Sequence, residues 1–341
     1  MTFPDPGFST PAMAAIFTAE RRVEGLLSFE VSLAGAGADL GLISPEVAEE
    51  IARACRDFDG DPAAIVASSW ERGSPLIDLL QSLRSKLSAA ASETLHRGAT
   101  SQDAIDTALM LQIRDAATLL GSQTDEVTKA LADLSSRHEN TPYQGRTLLQ
   151  EAMSSTFGNR ASAWREPLLR ARDALSVIAA SLPIQLGGPI GDVHSLGTRG
   201  QELVERVAAR LELAVPAHPW HNDRSHVRRP LAMAVEIALA MEKIAFDLAL
   251  LAGFGEVSMR PGLSSSMSHK RNPIDAIRSV AAARACVAAA SVLSATGGHE
   301  LERGIGGWQV EWWAVPLVFQ AAAAVVDGVD AALAHLEVHP S

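Results

Sequence analysis

From Asp106 to about Ser136, apolar or small residues recur at Leu109, Ile113, Ala116, Leu120, Thr124, Val127, Leu131 and Leu134. Spacings of three and four place them on one face of an α-helix for about eight turns. Such a helix is about 45 Å long, longer than any small core can enclose, so it requires partners of similar length lying alongside. The sequence offers them. Helical periods extend from about Thr156 to Leu182, Gly197 to Leu211, Pro230 to Phe254, Pro273 to Thr296 and Gln309 to Leu336. Most are rich in alanine, which favours helix and lets neighbouring helices approach closely.

Pro230 and Pro273 read as helix starts, where a missing N–H costs nothing. Gly187-Gly188-Pro189, Pro216 to Pro219 and Gly297-Gly298 read as connections. Strand signals are weak: aromatics are 5% of residues, with one tyrosine, and no alternating β-branched runs bounded by turn dipeptides occur. The expected fold is therefore all-α: a long up-and-down bundle over residues 106–341. A smaller helical domain over 1–105 precedes it, punctuated by Gly35, Gly37, Gly41, Pro45, Gly60, Pro62, Gly73 and Pro75.

Hydrophobic residues at 47% and charged residues at 20% describe an ordinary globular chain of 341 residues, not a disordered one. A formal charge of −11 argues against nucleic acid or an anionic membrane surface as partner. Cys55 and Cys286 supply neither a disulfide framework nor a Cys-based zinc motif, and read as buried small hydrophobes. Residues 1–12 lack a basic segment ahead of an apolar run, so a cytoplasmic protein is expected. The most apolar stretches, 280–293 and 314–326, read as too short to span a membrane.

Three polar segments stand out. His96-Arg97-Gly98-Ala99-Thr100-Ser101-Gln102-Asp103 precedes the longest helix; its hydroxyls and free N–H groups serve equally as a helix cap or as a carboxylate site. In Gly145-Arg146-Thr147-Leu148-Leu149-Gln150, Thr147 and Gln150 would share one side of a helical turn and hold one ligand group. Gly262-Leu263-Ser264-Ser265-Ser266-Met267-Ser268-His269-Lys270-Arg271-Asn272-Pro273 joins a hydroxyl-rich loop to three basic residues just ahead of a helix start. A multiply negative small substrate would require that combination.

Together these segments resemble the signature motifs of the aspartase/fumarase superfamily. The third is similar to its Gly-Ser-Ser-x-Met-Pro-x-Lys-x-Asn-Pro loop, aligned on Lys270, Asn272 and Pro273, with Leu263 and Ser268 as departures. The first resembles its Thr-Ser-x-Asp segment and the second its Thr-x-x-Gln segment. Gly187-Gly188, Ser195-Leu196-Gly197, Pro219-Trp220-His221 with Asp223-Arg224, and Gly306-Gly307-Trp308-Gln309 with Glu311-Trp312 are similar to the cycloisomerase branch of that superfamily. In the nucleotide-substrate branch a histidine general acid follows the second motif's threonine, and here that position is Leu148. Superfamily members commonly carry a third helical domain, so an end at Ser341 reads as a short form.

The resemblance implies a small polycarboxylate as substrate, no metal, no cofactor, and a homotetramer whose active sites are shared between subunits. It makes Ser264 the catalytic base, with His269 and His96 as candidate proton-transfer partners. The substrate-binding set is Thr100, Ser101, Asp103, Arg146, Thr147, Gln150, Ser265, Lys270, Asn272 and Arg303. No nucleic acid and no membrane enter the scheme.

Overall fold

The computed structural model describes residues 6–263, 266, 267, 269–295 and 298–339. Six helices make up the first part of the chain: Pro11–Ile16 (α1), Ala19–Asp39 (α2), Pro45–Arg56 (α3), Pro62–Arg72 (α4), Leu76–Arg84 (α5) and Ala89–Thr94 (α6). Thr10, Thr18, Ser44, Asp61 and Ser88 cap five of them by accepting a backbone N–H two or three residues on, which satisfies donors that a helix start leaves free. The bundle helices follow: Ser101–Arg137 (α7), Phe157–Ala179 (α8), Gly200–Leu211 (α9), Ser225–Phe254 (α10), Ile274–Ala295 (α11) and Gly307–Ala334 (α12).

Side-chain pairs fix the directions of the rods. Arg165 of α8 donates to the Thr128 carbonyl of α7, and Arg172 pairs with Asp125, so α8 returns antiparallel to α7. At the start of α10, Arg224 meets Asp106 near the start of α7 and Glu311 near the start of α12. These three helices therefore run in the same direction. Arg278 with Asp327, and the Cys286 thiol on the Val318 carbonyl, make α11 antiparallel to α12. A Cβ at Gly328 would lie 2.1 Å from Ser279 Oγ, so only glycine permits α11 and α12 to approach this closely.

The all-α expectation holds, with two small antiparallel sheets added. Pro142–Thr147 (β1) pairs with Gln150–Thr156 (β2), and Val257–Ser258 (β3) with Glu337–Val338 (β4). The buried apolar side chains form one continuous cluster from Met13 to Leu333. At about 1.5–3 kcal/mol for each fully buried large aliphatic side chain, this burial is the main term holding the rods together.

Three expectations need correction. Pro230 lies inside α10 and does not open it; five residues from Ser225 precede it. The Thr147–Gln150 segment is a hairpin turn, not a helical one. Ile274–Leu293 and Gly307–Ala334 are long and apolar enough to cross a membrane, so the span criterion is met after all. In α12 the most apolar window is 72% buried, which makes it a core helix. The equivalent window of α11 is 39% buried, leaving an apolar outer face.

Both cysteines are free and buried, as the composition suggested. Burial pushes each thiol up to about 12, so neither is a nucleophile at neutral pH.

Candidate active site

The first motif is built on a buried carboxylate. Asp103 lies in the first turn of α7, fully buried, and its oxygens accept from five donors. Oδ1 takes the Gly187 N–H at 2.9 Å, the Gln185 amide at 3.2 Å and His221 Nε2 at 2.8 Å. Oδ2 takes the N–H groups of Gly188 at 2.9 Å and Thr100 at 3.0 Å. With both oxygens filled, Asp103 cannot receive a substrate. It is corrected from a binding residue to the group that fixes the start of α7 against the 187–188 turn. Gly188, at φ 75°, leaves no room for a Cβ, which would fall 1.8 Å from Ser195 Oγ.

This anchoring presents Thr100 and Ser101, both half-buried, at the end of the bundle. Arg303 joins them there: its guanidinium donates to Thr100 Oγ1 at 3.0 Å and lies 5.8 Å from the Trp308 ring centre. Thr100, Ser101 and Arg303 thus place hydroxyls, free helical N–H groups and a cation together, a carboxylate-binding arrangement.

Beneath lies a second buried network that the sequence motifs did not reveal. Arg224, 1% exposed, bridges Asp106 and Glu311. The Trp308 indole and the Gln102 amide also donate to Asp106. Burial opposes the Arg224 charge, but Asp106 and Glu311 outweigh it and raise its pKa. Burial raises Glu311 despite Arg224. His299, within 3.9 Å of Glu311, is held down by burial and by the Arg224 charge.

His96 is not poised for proton transfer. Its Nδ1 lies 2.7 Å from Glu30 Oε1, with the two side chains 10% and 1% exposed. Its Nε2 is buried without a hydrogen-bond partner. Burial favours the neutral ring, yet the Glu30 charge and hydrogen bond prevail and raise the His96 pKa. Held against Glu30 within the fold, the ring supports the start of the first motif.

The other motifs lie at the opposite end. Leu148 and Leu149, at φ 51° and 65°, form the tip of the β1–β2 hairpin, with Thr147 opposite Gln150. All four are exposed. Arg146 is committed to Glu256 at 2.5 Å and lies over the Phe254 ring, 4.8 Å from its centre. That contact brings the second motif to the end of α10, close to the loop that leads into α11. The antiparallel bridge between Gly262 and Asn272 closes that loop. His269, Lys270 and Arg271 on it are exposed, and the Lys270 N–H donates to the Met267 carbonyl. Ser264 and Ser265 lie outside the described residues.

Thr100 and the hairpin are separated by the 37 residues of α7, about 55 Å. One copy of the chain therefore does not bring the three motifs together.

Comparison with known proteins agrees with this architecture. A family model described as lyase matches residues 7–285, and the chain belongs to that family, within the aspartase/fumarase superfamily. Among its relatives, the 3-carboxy-cis,cis-muconate cycloisomerase of Pseudomonas aeruginosa is 33% identical over 98% of this chain and 75% of its own. Nitrosuccinate lyase of Streptomyces davaonensis is 35% identical over 89% and 67%. The crystal structure of 3-carboxy-cis,cis-muconate lactonizing enzyme from Pseudomonas putida superposes with a TM-score of 0.90 at 31% identity, covering 98% of this chain and 76% of that one. The chain is thus an enzyme of this superfamily.

Proposed function

We propose that the chain catalyses the intramolecular lactonisation of 3-carboxy-cis,cis-muconate. The observation that carries this reading is an anion-accepting end, with Thr100, Ser101 and Arg303 on a buried scaffold, combined with an apolar Leu148 where a general acid would otherwise follow the second motif. In lactonisation a substrate carboxylate oxygen bonds to one carbon of a double bond, and the adjacent carbon takes a proton. The reverse is a β-elimination whose leaving group is a carboxylate. Such a leaving group needs little protonation, unlike an amine, so an apolar Leu148 is chemically acceptable.

The demanding species is the enediolate next to a carboxylate, whose negative oxygens need donors already in position. Thr100, Ser101 and the α7 N-terminus would hold one carboxylate with Arg303. Lys270 and Asn272 would hold a second, and Thr147 with Gln150 a third. Proton transfer at carbon falls to Ser264, by its place in the signature loop, with His269 as a neighbouring donor. Glu30 and Asp103 are positioning residues in this scheme, and His96 acts with them.

Because the motifs lie at opposite ends, we infer a homo-oligomer, a tetramer by resemblance, in which one copy offers Thr100 and another the hairpin and loop. Support comes from apolar side chains exposed on single copies. Leu148 is 97% exposed at the hairpin tip, and Leu301 and Ile305 are more than four-fifths exposed beside Arg303. Leu239 and Phe246 on α10 and Ile277 and Val287 on α11 are exposed as well.

A second reading, a carboxylate lyase, is favoured by the similarity to nitrosuccinate lyase. The test is ultraviolet loss of the conjugated diene of 3-carboxy-cis,cis-muconate, with nitrosuccinate and adenylosuccinate assayed in parallel. Diene loss supports lactonisation. A diene that persists at high enzyme concentration, with turnover of either succinate, transfers the assignment to the lyase reading.

A further inference from the structure

The β1–β2 hairpin carries a bulge just ahead of Arg146. Gln144 pairs with Ser154 and Arg146 with Glu151, so the single residue Gly145 lies opposite both Ala152 and Met153. Only glycine fits there, since a Cβ would fall 2.7 Å from the Met153 carbonyl oxygen. A bulge bends the strand pair and increases its twist, here at the residue that precedes Arg146.

Arg146 then leaves the hairpin for the end of α10. Its Nη2 meets Glu256 Oε1, its Nη1 donates to the Gln144 carbonyl at 3.3 Å, and its guanidinium lies over the Phe254 ring. The two partners are sheltered, with side chains 16% and 12% exposed. Glu256 Oε2 is buried without a hydrogen-bond partner, and among the described residues Arg146 is the ion-pair partner of this carboxylate. Glu151 lies farther off, 3.9 Å from Arg146 Nη2, and is exposed.

Glu256 is itself built into the stem of the signature loop. Gly255, at φ 78°, turns the chain out of α10, and the Glu256 N–H then donates to the Leu251 carbonyl. The Glu256 carbonyl accepts from the His339 N–H, and Val257 and Ser258 pair with β4. Arg260 bridges to Asp275 in the first turn of α11 at 2.8 Å, and Gly262 and Asn272 exchange backbone hydrogen bonds. Fixed contacts therefore run without a break from Arg146 to the backbone of Asn272.

We propose that Arg146 and Glu256 form a positioning pair, which holds the Thr147–Gln150 hairpin and the Lys270–Asn272 loop as one body. Neither residue touches substrate in this scheme. The Arg146 guanidinium is engaged within its own chain, and the pair acts by keeping two sets of binding groups in register. A misplacement of 1 Å in such groups costs about a hundredfold in rate. The kinetic consequence rests on the lactonisation reading, whereas the mechanical link between the two motifs does not.

The experiment uses the full chain and reads the two parts separately. Hydrogen exchange is followed in wild type, R146M, E256M, the double variant and E151Q. Peptides covering 257–262 should exchange at least about fivefold faster in R146M, and those of β1–β2 in E256M, while α7 stays protected. Well below each melting temperature, both single variants should lose about a hundredfold in kcat toward 3-carboxy-cis,cis-muconate, with KM changed far less. The double variant should lose no more than the worse single one, because both remove the same link. E151Q should match wild type throughout. Unchanged exchange at 257–262 in R146M overturns the mechanical link, and wild-type kcat in variants with altered exchange overturns the positioning role. Losses that multiply in the double variant, or an E151Q that behaves like R146M, overturn the pairing. If wild type leaves the diene intact, the lactonisation reading fails and exchange alone decides the pair.

Discussion

Replacing Asp103 by asparagine isolates what the buried carboxylate does. The side chain keeps its shape and loses its charge. With its amide oxygen in the Oδ1 position, the substituted side chain still accepts from Gly187, Gln185 and His221. Its NH2 then faces the N–H groups of Thr100 and Gly188, which Oδ2 served before. Flipping the amide is worse, since three donors lose their acceptor instead of two. Each buried donor left unsatisfied costs about 1–3 kcal/mol, and the remaining bonds weaken without the charge. A loss of about 3–5 kcal/mol follows, concentrated at the Thr100 cap and the 187–188 turn. Chemical denaturation at fixed protein concentration measures it, with Asp61→Asn as a comparison. Asp61 caps α4 at the surface through the Ala63 N–H and should lose only about 0.5–1 kcal/mol. A loss for Asp103→Asn no larger than that, with activity retained, would refute the assignment of Asp103 as the anchor of this end.

Arg224→Met leaves Asp106 and Glu311 facing each other without their shared cation; thermal or chemical melts should show a loss of about 3–5 kcal/mol. His96 has a raised pKa in the folded chain, so its contribution is complete below its unfolded value of about 6.5 and fades as pH rises through the folded value. Stability measured across that window should decline in wild type and flatten in Glu30→Gln. Arg303→Met removes the cation beside Thr100 while leaving the core intact, so KM for the tricarboxylate should rise at least about tenfold, or 1.4 kcal/mol, with the melting temperature nearly unchanged. Leu148→Asp at the exposed hairpin tip should shift sedimentation toward smaller species, whereas an unchanged profile would remove the tip from the interface.

The long rods were legible because their signal is local and repeated. The eight periodic positions from Leu109 to Leu134 specify α7 whatever surrounds it, and all eight are buried. The hairpin was not legible. Its turn residues are two leucines in left-handed conformations, where asparagine or glycine would have signalled a turn. Its second strand is almost wholly exposed, so no alternating pattern marked it. Pro230 resembled a start because helix beginnings tolerate proline, and here the helix simply extends further back. In the site, Thr100 and Arg303 were found by resemblance, and the structure brings them into contact. The Arg224 bridge was missed because Asp106, Arg224 and Glu311 lie far apart in the chain, and no spacing rule links them. Asp103 was read as a ligand because a capping carboxylate and a binding carboxylate look alike in sequence. The five donors converging on it come from the 187–188 turn, Gln185, Thr100 and His221, and that convergence is tertiary.

The central claim is that one active site draws Thr100 from one copy of the chain and the Lys270 loop from another. Thr100→Ala and Lys270→Met should each be nearly inactive alone toward 3-carboxy-cis,cis-muconate. Unfolding the two together and refolding them as an equimolar mixture should restore roughly a quarter of wild-type activity, the fraction of sites that combine both intact contributions. A mixture no more active than the average of its two parents would contradict the account.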